Sequence, residues 1–177
     1  TASGDQPGAS SWLDNTHVDA LGYATARSSS GRLFYIFTTA LTAMSSTPAY
    51  RMAPIPDHIF EGLTDSAEVI ATIAYVGDHW AATWWHRGQV HWYYAEGLNF
   101  DPKPTQYLFR DWIQAHFGVT LRPEPRRRYI GRQCDLAHHG NLVAINCGVI
   151  AAHVLHGLAQ PGARSRQLFS IHVPQYM

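Results

Sequence analysis

Two aromatic runs on either side of a short turn constrain the fold of this chain more than any other feature. The runs are His79–His86 and Val90–Glu96, and Arg87-Gly88-Gln89 separates them. Aromatic and β-branched residues that flank a glycine-containing turn are typical of a β-hairpin. We therefore predict two antiparallel strands here, with a third strand over Glu68–Val76 immediately before them.

The hairpin places a histidine and a carboxylate within reach of each other. A two-residue turn at Arg87-Gly88 puts His79 directly opposite Glu96, and a turn at Gly88-Gln89 puts Glu96 opposite Ala81 and diagonal to His79. Side chains alternate along a strand, so both registers keep the two groups on one face. Glu96 is then expected to hold one ring nitrogen of His79 and to favour the imidazolium. The competing interpretation is a solvent-exposed acid and a polar turn residue.

A cysteine opens the apolar run Cys147–Ala159, which predicts a helix buried in the core. Asn146 is a candidate N-cap, which places Cys147 at the first helical position. There the helix dipole and a neighbouring imidazolium favour a thiolate, and Gly148 leaves room for a substrate carbonyl. The residue types are those of a nucleophile, a base and an orienting acid. The competing interpretation is a small, inert core residue.

The cysteine and histidine counts argue against metal or disulfide sites. Cys134 is the one other cysteine, and no Cys-x-x-Cys occurs. His153 and His156 stand three apart on the predicted helix, but the spacing offers no further ligands. We predict no metal and no cofactor, and a reducing intracellular setting.

Composition and charge exclude some classes of protein. Hydrophobic residues make up 46% of the 177 residues, and no apolar run reaches membrane-spanning length. The 13 basic residues balance the 13 acidic ones, which argues against a general nucleic-acid binder. The one basic cluster, Arg126–Arg128 with Arg122 and Arg132, is interpreted as a solvent-exposed loop or strand edge, or as a contact for an acidic patch on a protein substrate.

Other local patterns give the remaining elements and the domain limits. Residues 1–10 are expected to be flexible, and residues 11–177 to form a single catalytic domain. The absence of an initiating methionine suggests an excised domain or a processed product. The predicted elements are a helix over Asp14–Arg27, a strand over Leu33–Thr38, an irregular segment over Ser45–Pro56, a helix over Thr105–Phe117 that ends at Gly118, and a strand over Gln167–Val173.

Four motifs in order resemble the ubiquitin-like-protein proteases, the SUMO-protease family. These are Ser11-Trp12-Leu13-Asp14-Asn15, then His79-Trp80, an acid seventeen residues after the histidine, and Asn146-Cys147-Gly148 at the head of an apolar helix. The same clan includes adenovirus-type proteases and bacterial effector deubiquitinases and acetyltransferases. The resemblance implies an α+β fold related to papain, in which a small central sheet packs on the helix that carries the nucleophile.

The resemblance also implies a role for each matching residue. Cys147 is the nucleophile, His79 the general base and Glu96 the orienting acid. Trp80 and Trp12 wall a narrow channel for the glycine tail of a modifier. A cleft roofed by two indoles admits glycine and rejects larger residues on steric grounds.

The oxyanion donor is the main departure from the family pattern. The family places a glutamine six or seven residues before the cysteine, whereas here Asn141 stands six before it and Gln133 fourteen before it. Either amide can donate to an oxyanion beside the Cys147 N–H, and the spacing favours Asn141. The family's usual aspartate is replaced by Glu96, as in the adenovirus-type relatives.

The leading functional hypothesis is a protease or isopeptidase that cleaves after the terminal glycine of ubiquitin, SUMO or NEDD8. Expected partners are the modifier and its conjugates, with no nucleic acid and no membrane, and the chain is expected to be a monomer. The expected location is the cytoplasm or nucleus, or a host cell if the source is a pathogen. The alternatives are an effector-type acetyltransferase, a polyprotein protease and a catalytically inactive modifier-binding module.

Overall fold

The structure is a computed structural model and describes residues 13–45, 54–77, 79–96, 100–130 and 147–161. These residues form four helices and five strands. In chain order they are α1 (Asn15–Arg27), β1 (Leu33–Tyr35), α2 (Thr38–Ser45), β2 (Val69–Tyr75), β3 (Trp80–His86), β4 (Tyr93–Glu96), α3 (Pro104–Phe117), β5 (Arg126–Tyr129) and α4 (Cys147–Ala159). The mixture of helices with one sheet matches the predicted α+β class.

The strands form one sheet in the order β1-β2-β3-β4-β5. The central strand β3 pairs antiparallel with both of its neighbours, β2 and β4. The two outer pairs, β1 with β2 and β4 with β5, are parallel. Parallel neighbours need a crossover, and the chain makes these crossovers through α2 and α3. The predicted hairpin therefore lies in the centre of the sheet.

Strand alternation divides most of the core into two large clusters, one on each face of the sheet, and a small third cluster holds Ala74, Val76 and Ala81. The first cluster combines Trp80, Ala82 and Trp84 of β3 with the apolar side of α4 and Val18 of α1. The second combines Trp85 with Trp112 of α3 and Leu41 of α2. Strands β2 and β3 are covered on both faces, which explains why their sequences read as almost continuous apolar runs.

Several predicted helix ends are confirmed. Asp14 caps α1, because its carboxylate accepts a 2.9 Å hydrogen bond from the His17 N–H. Helix α3 ends at Gly118, which adopts the left-handed conformation with φ 64°. Helix α4 begins at Cys147 as predicted, and its candidate cap Asn146 lies outside the described residues.

The strand predicted over Leu33–Thr38 is too long, and α2 was not predicted. Strand β1 stops at Tyr35, and α2 begins at Thr38. The cause is the buried carboxylate of Asp19, which accepts hydrogen bonds from the N–H groups of Thr38 and Thr39 at 2.7 and 3.1 Å. A distant side chain thus caps the first turn of α2 and ends the extended run.

One further prediction is confirmed, and three concern residues that the structure does not describe in full. The basic cluster is a strand edge, because Arg126–Arg128 belong to β5, the outermost strand of the described sheet. The predicted strand at 167–173 and the amino-terminal segment 1–10 lie outside the described residues. The single catalytic domain over 11–177 stays a prediction.

Candidate active site

The base candidate, His79, sits at the tight end of the β2–β3 hairpin. Its C=O accepts a 2.8 Å hydrogen bond from the Val76 N–H, and the two-residue connection begins with Gly77 at φ 86°. A positive φ at this position suits the glycine and the twist of a short hairpin. The His79 side chain is 2% exposed, and its ring centroid lies 5.4 Å from that of Phe100. The hairpin therefore fixes the backbone from which the imidazole projects.

The nucleophile candidate, Cys147, lies at the first residue of α4, where the helix packs against β3. Its side chain is 2% exposed and belongs to the same core cluster as Trp80. A Cβ added at Gly148 would lie 2.8 Å from Leu13 Cδ1 and 3.4 Å from Trp80 Cδ1. Leu13 and Trp80 therefore occupy the Cβ side of Gly148, and the glycine allows close packing of the helix there. Room for a substrate carbonyl in front of the Cys147 sulfur stays a prediction.

Trp80 connects the two candidates. Its backbone N–H lies at hydrogen-bonding range of the Cys147 thiol, and it directly follows His79 in the chain. Its indole is 6% exposed, packs beside Gly148, and meets the ring of Tyr75 edge-on with centroids 5.1 Å apart. The structure thus brings the residue after the histidine against the cysteine, although the two motifs are 67 positions apart in sequence.

A cleft of about 530 Å³ opens beside Trp80. Its walls come from the start of α1, from α2 and from the hairpin: Leu13, Asp14, Asn15, Thr16, Thr42, Tyr75 and Trp80. This is the region where the resemblance implies a substrate channel. Of the two predicted channel residues, Trp80 lines the cleft, and Trp12 lies outside the described residues.

Burial controls the ionisation of both candidates. It lowers the pKa of His79 from 6.5 to about 4, because the charged ring would lose its hydration. Burial also raises the pKa of the Cys147 thiol, and the N–H groups of Trp80, Gly148 and Cys147 oppose this increase only in part. Both shifts favour the neutral thiol and the neutral imidazole, whereas the sequence features favour a thiolate and an imidazolium. At Cys147, desolvation outweighs the hydrogen bonds from these three N–H groups.

The strand register decides between the two hairpin alternatives. Ala82 pairs with Ala95, so the backbone of Glu96 lies opposite Ala81, one position further along. This is the register predicted for a turn at Gly88-Gln89, yet the tight turn itself centres on Arg87-Gly88, since the Gln89 N–H donates to the His86 C=O at 3.1 Å. This turn and this register occur together because the residues between Gln89 and Tyr93 are not part of β4 and lengthen the connection.

The remaining predicted site residues are described only in part or not at all. The structure describes the backbone of Glu96, which pairs with Tyr129 of β5, but not its side chain. Asn141 and Gln133 lie outside the described residues. The contacts of the orienting acid and of the oxyanion donor therefore stay predictions.

Sequence reasoning missed two aromatic residues next to the candidates, Tyr75 and Phe100. Tyr75 ends β2 and pairs directly with Trp80. The signal was present, because a two-residue hairpin at Gly77-Asp78 pairs exactly these positions. Phe100 is 40% exposed and follows β4 at a distance that no periodicity predicts.

Removing the Phe100 ring is expected to change the titration of His79. In Phe100→Ala, water reaches the imidazole, so the pKa of His79 should rise from about 4 towards 6.5. The ¹³C or ¹⁵N NMR titration of the His79 ring measures this shift directly. Phe34→Ala is a matched control, because Phe34 packs on Phe60 in the other core cluster. An unchanged His79 titration in Phe100→Ala would contradict the role given to this ring.

Neither a metal site nor a membrane span occurs in the described part of the chain. Across the described ranges, no three His, Cys, Asp or Glu side chains converge in a way that suits a metal ion. Within the same ranges, no helix has the length and apolar character needed to cross a bilayer.

Comparison with known proteins identifies the fold. No family model matches the chain, and no curated protein matches its sequence. A crystal structure of the de-sumoylating protease matches with a TM-score of 0.56 and 12% identity, over 84% of this chain and 62% of that one. SUMO protease Ulp1 with its catalytic cysteine oxidised to a sulfinic acid matches with a TM-score of 0.54 and 12% identity, over 84% and 66%.

A third structure extends the same result. The C-terminal Ulp1 protease domain, in complex with Smt3, the yeast ortholog of SUMO, matches with a TM-score of 0.51 and 14% identity, over 84% of this chain and 79% of that one. The chain spans less than two thirds of the length of the first two structures, 62% and 66%. At these identities the likeness shows the fold, and the fold implied by the sequence motifs is confirmed.

Proposed function

We propose that this chain, which has the fold of SUMO-protease domains, is a cysteine protease of the ubiquitin-like-protein protease family. It cleaves after the carboxy-terminal glycine of ubiquitin or of a relative such as SUMO or NEDD8. The observation that carries the proposal is the meeting of the two distant motifs at Trp80, with Cys147 on the helix and His79 one residue before the indole. The expected partners are the modifier and its conjugates, and the expected setting is intracellular.

Acylation begins with proton transfer from the Cys147 thiol to the neutral His79 imidazole. The sulfur attacks the carbonyl carbon of the terminal glycine, and the C=O electron pair moves to oxygen. When this tetrahedral intermediate collapses, His79 gives the proton to the leaving lysine amine, and the C–N bond breaks. A thioester between the glycine and Cys147 remains. Burial keeps the His79 imidazole neutral, but a pKa of about 4 also makes it a weak base, so the transfer requires that the imidazolium be stabilised, which is the role proposed for Glu96.

Hydrolysis of the thioester completes the cycle. Water attacks the thioester carbon while His79 takes one of its protons, and the C–S bond breaks to release the carboxylic acid of the modifier, which loses its remaining proton to solvent. The sulfur leaves as thiolate and recovers the proton from His79. No co-reactant besides water is needed, and Cys147 and His79 return to their neutral forms.

The remaining roles follow the sequence motifs. Glu96 orients His79, and Asn141 or Gln133 donates to the oxyanion together with the Cys147 N–H. The cleft beside Trp80 supports the channel role, because Trp80, Tyr75 and Leu13 give it an aromatic and apolar side, and Leu13 and Trp80 also flank Gly148, the residue after Cys147. Trp12 is proposed as the second indole of this channel. A glycine tail fits such a wall because it brings no side chain.

Covalent capture tests the proposal. The protein and its Cys147→Ala variant are mixed with ubiquitin, SUMO and NEDD8 that carry a thiol-reactive group at the carboxy terminus, and adducts are read by mass spectrometry. One adduct that disappears in the variant supports the proposal and identifies the modifier. The variant is a conservative control, because alanine removes the sulfur from a buried helix start without adding volume.

Other outcomes would overturn the proposal. No adduct with any modifier, from protein that circular dichroism shows to be folded, contradicts a modifier protease. An adduct that persists in Cys147→Ala assigns the reaction to another residue, and Cys134 is then the next variant to test. Cleavage of unfolded peptides without modifier capture would instead indicate a polyprotein protease.

A further inference from the structure

Positive charge is concentrated along one edge of the described sheet. Five of the chain's 13 basic residues lie between positions 122 and 132, where Glu124 is the only acid. We call Arg122 together with Arg126–Arg128 the basic ridge. Arg122, Arg126 and Arg127 are exposed, and Arg128 is half-buried with its guanidinium 4.9 Å from the centre of the Tyr93 ring. In a chain with no net charge, this is a pronounced local excess.

Backbone hydrogen bonds hold the ridge in place. The Arg122 N–H donates to the Val90 C=O and the Arg126 N–H to the Trp92 C=O, both at 2.8 Å. The Trp92 indole N–H donates in turn to the Arg122 C=O at 2.8 Å. Arg122 and Arg126 therefore stand on fixed backbone on either side of the loop at His91. Cations on fixed backbone lose less conformational entropy when they bind an anionic partner.

Glu124, the one acid of this segment, is bonded to helix α3. The Glu124 carboxylate accepts a hydrogen bond from the Tyr107 hydroxyl. Among the described residues, no carboxylate forms an ion pair with Arg122 or Arg126. Burial and then the charges of Arg126 and Arg122 lower the pKa of His91, which shows that the positive field reaches its neighbours.

We infer that the basic ridge is a docking surface for an acidic, extended segment of a protein partner. Arg122 and Arg126, two exposed arginines on fixed backbone, can pair with glutamate and aspartate side chains along an extended chain, because guanidinium groups bind carboxylates in two-point contacts. Strand β5 pairs with β4, the strand that ends at Glu96. A segment docked on the ridge is thus held on the sheet that carries the proposed catalytic residues.

A protein segment fits better than a nucleic acid. Single-stranded nucleic acids bind where exposed aromatic rings alternate with the cations. Here Tyr93 and Trp92 are buried at 4% and 0% exposure, so neither offers a free stacking face. The choice of a protein partner rests on the proposed protease function, whereas the cation cluster does not depend on it.

Fluorescence anisotropy with a labelled glutamate-rich peptide tests the inference, using Cys147→Ala so that no cleavage intervenes. Arg126→Glu is expected to raise the dissociation constant of the peptide about tenfold, because it replaces an attraction with a repulsion. Arg27→Glu on α1 makes the same charge change at an exposed arginine outside the ridge, and its effect should stay within about twofold. Higher salt should weaken the binding of the peptide to Cys147→Ala without a further substitution.

Three results would overturn the inference: no saturable peptide binding by folded protein, equal effects of Arg126→Glu and Arg27→Glu, or tighter binding of a single-stranded RNA of equal charge. The first two would leave the arginines as edge protection against strand pairing. Because this assay needs no thiol, peptide binding without modifier capture would refute the proposed function alone. Modifier capture without peptide binding would refute the docking surface alone.

Discussion

Replacing His79 with glutamine is expected to lower kcat/KM for the captured modifier by about 10³-fold or more. Glutamine keeps a buried polar side chain of similar length but cannot exchange a proton with Cys147. The measurement is hydrolysis of the modifier joined through its terminal glycine to a fluorogenic amine. His58→Gln is the control, because His58 is exposed and does not line the cleft, and its rate should equal that of the parent. A loss below tenfold in His79→Gln would exclude the histidine as the base.

The same variant reports the buried state of the imidazole through its effect on stability. The pKa of His79 is about 4 in the folded protein and close to 6.5 when the chain is unfolded. Between pH 6.5 and 4, His79 therefore binds a proton in the unfolded state but not in the folded state. The free energy of unfolding consequently falls as the pH falls towards 4. This one group contributes at most about 1.4 kcal/mol per pH unit. The decline in that window should be shallower in His79→Gln.

Replacing Asp19 with alanine is expected to lower the free energy of unfolding by about 3 to 5 kcal/mol. The carboxylate is buried, and it accepts hydrogen bonds from the Tyr35 hydroxyl at 2.7 Å and from the N–H groups of Thr38 and Thr39. Alanine would leave three donors without their acceptor and would remove the cap of α2. Urea denaturation followed by circular dichroism measures the change.

Two further variants bracket the Asp19 result. Asp57→Ala removes an exposed carboxylate and should change the stability by no more than about 0.5 kcal/mol. Asp19→Asn keeps one acceptor oxygen in place, so its stability should lie between those of the parent and Asp19→Ala. If Asp19→Ala were no less stable than Asp57→Ala, the carboxylate would not be what holds α1, β1 and α2 together.

Local patterns predicted the parts of the fold that depend on neighbours in sequence. The limits of α1, α3 and α4 follow from caps, a terminal glycine and apolar periodicity, and the structure reproduces them within one residue. Strand β2 is also close to its predicted limits. These elements carry their own start and stop signals, so no distant contact had to be known.

Long-range contacts account for what the sequence did not reveal. Helix α2 starts where Asp19, nineteen residues earlier, reaches Thr38, and no pattern around Thr38 announces this. The Arg87-Gly88 turn was one of the two alternatives, but Val90–Trp92 leave the strand because they bond to Arg122 and Arg126. Those contacts lengthen the connection between β3 and β4, and the two strands keep the register that was predicted for a turn at Gly88-Gln89.

In the candidate site, too, local motifs could be predicted and the effects of long-range packing could not. The motifs at His79-Trp80 and Cys147-Gly148 were identifiable, and the structure brings them together at Trp80. Their ionisation was not predictable, because it depends on how deeply the surrounding side chains bury each group. The close approach of Leu13 to Gly148 is likewise a product of packing between α1 and α4, which a one-dimensional pattern does not encode.

The separation of the core by the sheet has a consequence for how mutations would show themselves in cells. Cys147 and Trp80 belong to the cluster on one face, whereas Trp85, Trp112 and Leu41 belong to the cluster on the other. Substitutions in the second cluster change the stability of the fold without touching Cys147 or Trp80. They therefore act mainly through the fraction of chains that stay folded. A mutational scan that scored abundance and turnover separately should therefore find that substitutions in the second cluster lower abundance alone, whereas substitutions at Cys147 and Trp80 also lower the reaction rate per molecule.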